Sequence, residues 1–166
     1  EIKKLAYYDK LTGVANRTLF YNLAEKFFDS AKRGDKILGL MFIDIDNFKC
    51  INDMYGHKIG DKVIIEVAKI LTKCTRGNDV VARYGGDEFL ILLPDIKDYN
   101  NYKLVSARIA NANSEVEVNG IKINIYLSIG ASFYPRDGED IDEIISKADK
   151  AMYKAKNIGG NRCAHY

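Results

Sequence analysis

The stretch Arg83-Tyr84-Gly85-Gly86-Asp87-Glu88-Phe89 separates two apolar runs, and the fold can be inferred outward from it. Residues 79–82 before it predict the start of one β-strand, and residues 89–93 after it predict a second strand that ends at Pro94. Two adjacent glycines between such runs predict a tight hairpin, because the common two-residue turns need positive φ at both central positions. We therefore expect two antiparallel strands joined by a tight turn at the glycines.

Two consecutive carboxylates, Asp87 and Glu88, follow this turn. Side chains alternate along a strand, so we expect the two carboxylates on opposite sides of it. They are surface acids of a solvated turn unless another part of the chain supplies a partner. Asp44 is such a partner, because it follows the apolar run 37–43, which is typical of a strand buried on both faces. If the hairpin pairs beside that strand, Asp44, Asp87 and Glu88 converge at one edge.

Carboxylates grouped without His or Cys suit Mg²⁺, which takes a few carboxylates together with phosphate oxygens. Ligand sites of α/β sheets also lie at the carboxyl ends of strands, as Asp44 does. Asp46 and Asn47 have a simpler explanation, an Asx turn that caps a helix. A calcium loop of the EF-hand type is excluded, because its glycine and its final glutamate are replaced here by Lys49 and Tyr55.

Composition limits the class of protein. The chain has 166 residues, a net charge of +2 at pH 7 and 47% hydrophobic residues. These values predict one globular domain over residues 1–166, and they give no reason to expect contact with nucleic acid or a membrane. Three cysteines without CxxC spacing predict free thiols in a reducing cytoplasm. Residues 1–8 are expected to be the tail of an upstream helix or linker, with the input domain absent.

Helical patterns recur along the chain. Asn16 is the predicted N-cap of a helix over residues 17–33, and Asp140 with Glu143 predicts a capping box for a final helix that ends at Gly159-Gly160. A short helical turn is predicted at residues 51–54. Longer helices are predicted from about Val63 to Cys74 and from Tyr99 to Ala112.

The remaining strand signals lie between the last two helices. Asn119-Gly120 predicts a second hairpin turn. Apolar residues alternate with polar ones from Ile121 to Ile129, which predicts one long strand with a single buried face. Strands that alternate with helices, together with two hairpins, predict an α/β (α+β) fold in which helices flank a mixed central β-sheet.

The central stretch resembles the defining motif of the GGDEF family, the diguanylate cyclases of bacterial signalling. Further segments resemble the family in the same order along nearly the whole chain: Asp9-Lys10-Leu11-Thr12-Gly13, Asn16-Arg17, residues 42–49, Ile51-Asn52-Asp53, Gly56-His57, Gly60-Asp61, Ser128-Ile129-Gly130 and residues 148–156. The resemblance implies a palm-like sheet, similar to that of nucleotidyl cyclases and polymerases. It implies that a cytoplasmic homodimer condenses two GTP molecules into cyclic di-GMP and releases pyrophosphate.

Site residues follow from the resemblance, position by position. It implies two Mg²⁺ or Mn²⁺ ions per active site, with Asp44, the Ile45 carbonyl and Asp87 as ligands of one and Glu88 at the second. Lys49 joins these carboxylates as a catalytic residue and, with Lys156, contacts phosphate. The residues implied at guanine are Asn52 and Asp61, in a pocket lined by Leu11, Phe48 and Ile64.

Two further features bear on the resemblance. Arg76 and Asp79 lie where many family members carry an RxxD motif that binds the product and inhibits the enzyme; by itself this pattern also fits a turn with a surface ion pair. Many members also carry an arginine after the glycine of the final helix, whereas this chain has Gly160, and its nearest arginine is Arg162. Weaker phosphate binding by that loop is expected.

Two other functions stay open at this point. A receptor could bind cyclic di-GMP or GTP without turnover, although such relatives usually have a damaged motif and this one is intact. A cyclase or nucleotidyltransferase could also use another base. Asp61 discriminates between bases, because a carboxylate accepts from both N1–H and N2–H₂ of guanine, and adenine offers no such pair. The role of Arg83, next to the motif, is open between a site residue and a surface charge.

Overall fold

A computed structural model describes residues 6–112, 115–158 and 163–165, with the backbone alone at Val118 and at residues 163–165. Five of its strands, numbered in chain order, form one sheet in the order β2-β3-β1-β6-β7: β1 (Ile37–Ile45), β2 (Val80–Arg83), β3 (Glu88–Ile96), β6 (Leu127–Tyr134) and β7 (Cys163–His165). Neighbouring strands are antiparallel except for β6 and β7, which are parallel. The sheet is therefore mixed, as the sequence predicts. A separate two-stranded sheet contains β4 (Glu115–Val118) and β5 (Ile121–Asn124).

Helices cover both faces of the sheet: α1 (Arg17–Gly34), α2 (Phe48–Tyr55), α3 (His57–Cys74), α4 (Tyr102–Asn111) and α5 (Ile141–Asn157). One apolar cluster joins α1 and α5 to one face, and another joins α2, α3 and α4 to the opposite face. Strand β1 contributes Leu40 and Phe42 to the first cluster and Met41 and Ile43 to the second. Because alternate side chains enter opposite layers, the continuous apolar run of β1 is explained, and its prediction as a strand buried on both faces is confirmed.

The helix ends agree closely with the capping residues. The side chain of Asn16 accepts a hydrogen bond from the Leu19 amide at 3.0 Å, so the predicted N-cap of α1 is confirmed. Asp140 caps α5 by accepting from the Glu143 amide at 2.9 Å. The Glu143 carboxylate accepts from the Glu139 amide, so the capping box is only half formed. Gly159-Gly160, predicted to end this helix, lies outside the described residues.

Two strand predictions were wrong. The alternating run 121–129 is divided between β5 and β6, which belong to different sheets. The pattern shows which side chains are apolar, and it carries no information about which strand each segment pairs with. The second hairpin turn is confirmed, since Asn119 and Gly120 both have positive φ. Strand β3 continues past Pro94, because the pairing with β1 shifts between Ile37 and Gly39 and a bulge tolerates a proline.

Helix α5 packs unusually close to β6. A Cβ atom built on Gly130 would stand 2.1 Å from the Ala148 carbonyl oxygen and 2.1 Å from the Met152 nitrogen. The helix can lie at this distance only because position 130 has no side chain. This contact holds the later turns of α5, including Lys156, over the end of the sheet where β1 finishes.

The two cysteines whose side chains the structure describes are free thiols. Cys50 is an exposed free thiol and Cys74 a buried one, while the side chain of Cys163 lies outside the described set. Over the residues that the structure describes, no helix combines the length and the apolar character needed to cross a membrane.

Candidate active site

The three predicted carboxylates meet at the carboxyl end of β1. Asp44 lies directly opposite Glu88 in the pairing of β1 with β3, and the Ile45 amide donates to the Asp87 carbonyl oxygen at 3.2 Å. The predicted convergence of these residues is thus confirmed. Asp87 lies in the loop that precedes β3, so the strand alternation on which the expectation of opposite sides rested does not apply to it.

Asp44 is buried, with 9% of its surface exposed. Its Oδ2 atom accepts a hydrogen bond from Nζ of Lys156 at 2.7 Å, whereas its buried Oδ1 atom has no hydrogen-bond partner among the described residues. Burial and the neighbouring Asp87 together raise the pKa of Asp44 to about 6, against the opposing effect of Lys156. A buried carboxylate beside a second carboxylate therefore favours the approach of a cation.

More negative charge surrounds this pair. The pKa of Glu88 is raised by burial and by the charges of Asp44 and Asp149. Asp149 lies on α5, and its own pKa is raised by burial and by Asp44. Four carboxylates from three elements and one loop thus influence one another at the end of the sheet, and Lys156 lies among them.

These residues fit a hard divalent cation. The orphaned Oδ1 of Asp44 is buried beside Asp87, and the donor set is oxygen only, as Mg²⁺ prefers. Within the described part of the chain, no group of three or more His, Cys, Asp or Glu side chains is arranged to hold a metal alone. Mg²⁺ usually takes one or two carboxylates together with phosphate oxygens and water, so a shared site of this kind agrees with its preferences.

The loop 84–87 is wider than the tight turn that the sequence predicts. Neither Gly85 nor Gly86 has positive φ, and the amides of Tyr84 and Gly85 both donate to the Glu88 carbonyl oxygen, at 2.8 Å and 3.3 Å. The primed-turn prediction was therefore wrong. Gly85 is needed for another reason: a Cβ atom there would stand 2.3 Å from Oε1 of Glu88, whose carboxylate folds back over the loop.

Two arginines hold this loop. Arg83 donates from Nε and Nη2 to the Gly86 carbonyl oxygen, at 3.1 Å and 2.8 Å, and pairs with Asp9 at 3.2 Å. Arg17, at the start of α1, donates to the Tyr84 carbonyl oxygen at 2.6 Å, and its guanidinium lies 3.7 Å from the centre of the Tyr84 ring. The open question about Arg83 is thus answered in structural terms: it fixes the loop that carries Asp87.

Asn52 and Asp61, predicted at guanine, come from the helix pair α2 and α3. Oδ1 of Asn52 is buried without a partner among the described residues, and a Cβ atom on Gly60 would stand 1.8 Å from it. Gly60 directly precedes Asp61, whose side chain is exposed. The glycine therefore lets the Asn52 amide lie against α3 next to Asp61.

The three residues predicted to line the guanine pocket belong to one apolar cluster. Ile64 is buried with 2% of its surface exposed, and Leu11 and Phe48 are half-buried against the same cluster. Lys49 is exposed in the first turn of α2, just beyond the end of β1. The capping explanation was wrong for Asn47, whose side chain makes no cap, and Asp46 accepts a hydrogen bond from Ser128 Oγ at 2.6 Å.

Arg76 and Asp79 form a turn beside a separate cavity. Asp79 Oδ2 accepts from the Arg76 amide at 2.8 Å, and burial raises the pKa of Asp79 although Arg76 and Arg108 oppose this effect. Both residues line a cavity of about 490 Å³ together with Arg108 and Lys97. The cavity is thus lined by three cations and two carboxylates, Asp79 and Asp95, and its guanidinium groups suit a phosphate-bearing ligand.

Sequence reasoning missed Arg17, Arg108 and Asp149 as site residues. Arg17 and Asp149 lie within segments that resemble the family, but the resemblance assigned no function to either residue. Arg108 offered no signal, because a single basic residue in the last turn of a helix is common. Gly160 and Arg162, the predicted departure from the family, lie outside the described residues.

Comparison with known proteins agrees with this geometry. The family model described as "Diguanylate cyclase, GGDEF domain" matches residues 6–162, and the chain belongs to this family. It is 41% identical to diguanylate cyclase A of Treponema denticola over 159 residues, which is 93% of this chain and 43% of that protein. The chain spans less than half the length of this and other curated relatives, some of which are named cyclic di-GMP phosphodiesterases.

Solved structures show the same fold. The GGDEF domain of TpbB (also called YfiN) from Pseudomonas aeruginosa superposes with a TM-score of 0.92 at 30% identity, covering 96% of this chain and 94% of that one. The coiled coil and GGDEF domain of DgcB from Caulobacter crescentus, in complex with c-di-GMP, gives a TM-score of 0.85 at 26% identity, covering 99% and 88%.

Proposed function

We propose that this chain is the catalytic domain of a diguanylate cyclase, which joins two GTP molecules into cyclic di-GMP and releases pyrophosphate. The observation that carries the proposal is the convergence of Asp44, Asp87 and Glu88 in a chain of the GGDEF family. Support also comes from a relative that is named a diguanylate cyclase and from a related domain that is described in complex with c-di-GMP.

The carboxylates define where metal ions would be held. Asp44, the Ile45 carbonyl and Asp87 would hold one Mg²⁺ or Mn²⁺ ion, and Glu88 would contribute to a second. When bound, such ions lower the pKa of a hydroxyl group and offset the negative charge of phosphate oxygens. Arg83 and Arg17 contribute by fixing the loop, because both Asp87 and the amide contact to Ile45 depend on its position.

Cationic and apolar side chains would position the nucleotide. Lys156 contacts Asp44 from α5, Lys49 lies in the first turn of α2 just beyond the end of β1, and both would bind the phosphates of GTP. Asn52 and Asp61 would read the polar edge of guanine, while Leu11, Phe48 and Ile64 would exclude water from one side of the base. Since two nucleotides must face each other for the ring to close, we infer that two copies of the domain meet during turnover.

The cavity beside the Arg76–Asp79 turn supports product inhibition. Arg76, Asp79 and Arg108 line one concave surface, and guanidinium groups bind phosphates and guanine edges through paired hydrogen bonds. Strand β2 begins one residue after Asp79 and ends at Arg83, which holds the catalytic loop. Product bound there would therefore act on a segment that is directly connected to the active site.

Product identification tests the proposed activity. The purified protein, incubated with GTP and Mg²⁺, should yield cyclic di-GMP and pyrophosphate, identified by chromatography and mass spectrometry. Asp87→Ala should abolish the product, whereas Asp29→Ala, an exposed carboxylate on α1, should leave it unchanged. Tight binding of GTP or cyclic di-GMP with no turnover would instead establish the receptor function, and equal rates with ATP would contradict guanine selectivity.

A further inference from the structure

The ammonium group of Lys156 binds one carboxylate oxygen of Asp44, a residue that we propose as a metal ligand. Its Nζ atom donates to Oδ2 of Asp44 at 2.7 Å, so one of the two oxygens of this carboxylate is already bound to a cation. The Asp44 side chain is 12% exposed and the Lys156 side chain 35% exposed. The ammonium group therefore lies at the boundary between the carboxylates and water, where it is free to move outward.

We propose that Lys156 is the counter-cation of the metal site when no ligand is bound, and that it exchanges from Asp44 to nucleotide phosphate as the metal enters. Metal and nucleotide then bind cooperatively, because each removes one partner of the same ion pair. The nucleotide arm of this inference rests on the proposed function; the competition between Lys156 and a metal ion for Asp44 rests on the geometry alone.

The surrounding charges make the exchange necessary. The pKa of Lys156 is raised by its hydrogen bond to Asp44 and by the charges of Asp46 and Asp87, against the opposing effect of burial. The ammonium group of this lysine is therefore attracted by several carboxylates at once. When it leaves, Asp44 and Asp87 lose the cation that offsets their repulsion, and the lysine loses its anion. A divalent cation satisfies the first loss, and a phosphate group satisfies the second.

Thermodynamic linkage predicts whether metal affinity rises or falls when Lys156 leaves Asp44. A ligand that removes Lys156 from Asp44 raises the affinity of the site for a cation, and the cation raises the affinity for that ligand by the same factor. Deleting the lysine charge should have the same effect on the free protein as moving it away. Without Lys156, metal affinity in the absence of nucleotide should rise, and the further increase produced by nucleotide should shrink.

Binding of Mn²⁺ to the nucleotide-free protein tests this directly, measured by electron paramagnetic resonance. Lys156→Gln should bind Mn²⁺ about tenfold more tightly than the unaltered protein, given the strength of a unit charge a few ångströms from the ion. Lys150→Gln is the matched control, because it removes the same charge from an exposed position on the same helix. Lys156→Arg, which keeps the cation, should restore the weaker affinity.

A second titration measures the coupling. A non-hydrolysable GTP analogue should increase Mn²⁺ affinity by a larger factor in the unaltered protein than in Lys156→Gln. Equal Mn²⁺ affinities in Lys156→Gln and Lys150→Gln, with both proteins folded by circular dichroism, would overturn the exchange while leaving the proposed cyclase intact. If neither the unaltered protein nor Lys156→Gln binds Mn²⁺ with or without the analogue, both the proposed exchange and the proposed metal site are contradicted.

Discussion

Gly60 leaves the space that the side chain of Asn52 occupies: a Cβ atom at position 60 would lie 1.8 Å from Oδ1 of Asn52. The two residues belong to different helices, so the position of the amide depends on the packing of α2 against α3. Oδ1 has no hydrogen-bond partner among the described residues, and under the proposed function it would accept a hydrogen bond from guanine.

Gly60→Ala should therefore impair guanine recognition with little loss of stability. The added methyl group would displace the Asn52 amide, and the KM for GTP should rise by about tenfold or more, since a site built to hydrogen-bond a base is sensitive to its polar groups. Steady-state kinetics with GTP measures this. Gly34→Ala is the control, because its Cβ would meet only the flexible end of Lys36. Unchanged kinetics in Gly60→Ala would remove Asn52 from the recognition of the base.

Arg17 should affect turnover rather than folding. It holds the Tyr84 carbonyl at 2.6 Å and stacks on the ring of the same residue, so Arg17→Met would release one side of the loop that carries Asp87. We expect kcat to fall by about tenfold while the thermal midpoint changes by only a few degrees, because the arginine is exposed. Arg33→Met, which removes a charge from the last turn of the same helix, is the control. Equal kcat values for the two variants would contradict the role of Arg17.

Asp9 should contribute to stability in a pH-dependent way. Burial would raise its pKa, but the hydrogen bonds from Thr12 and the charge of Arg83 outweigh burial and lower it from 3.8. A lowered pKa means that the folded state favours the ionised form, so this contribution is present above pH 3.8 and is lost as pH falls through the lower folded value. Urea unfolding from pH 7 to pH 3 should show a steeper loss of stability for the unaltered protein than for Asp9→Asn. Parallel curves would show that the pair contributes nothing.

Arg108 should act together with Arg76 in product inhibition. Both line the same cavity and both influence Asp79, so either alanine variant should keep the initial rate but lose the slowing that accompanies product accumulation. Progress curves with and without added cyclic di-GMP measure this. Lys103→Ala, an exposed change on the same helix as Arg108, should remain inhibited. An Arg108→Ala variant that is inhibited like the unaltered protein would limit the site to the Arg76–Asp79 turn.

Specific activity should increase with protein concentration, because the proposed reaction brings two nucleotide-loaded domains together for ring closure. Initial rates across a wide range of concentrations, with the oligomeric state followed by light scattering, check this. A constant specific activity in a sample shown to be monomeric would contradict the need for two copies.

Much of the fold and the central carboxylates could be predicted, because their signals are local. The apolar run of β1 and the caps of α1 and α5 each depend on neighbouring residues. The joint position of Asp44, Asp87 and Glu88 followed from placing two strands side by side. Other features depend on groups distant in sequence. The shape of loop 84–87 is fixed by Arg17, and the division of the run 121–129 is fixed by two separate sheets.

The positions of single site residues also depend on groups that are distant in sequence. The resemblance implied a phosphate contact for Lys156 but could not show that the lysine pairs with Asp44. Because Asp44 follows the apolar run 37–43, the sequence predicts a solvent-facing side chain, and this prediction is wrong because the residue is buried. The position of Lys156 depends on the close packing of α5 over Gly130, and no pattern within one segment specifies a distance between two segments.

Ala15 has a consequence for solubility. Its amide donates to the Val81 carbonyl oxygen at 3.2 Å, and its carbonyl accepts from the Arg83 amide at 2.9 Å, so it occupies the outer side of β2, which is the last strand at that end of the sheet. An uncovered strand of this kind recruits strands from other molecules and promotes aggregation. Truncation past Ala15 would remove this cover, so the short segment before α1 protects the protein from self-association through its sheet.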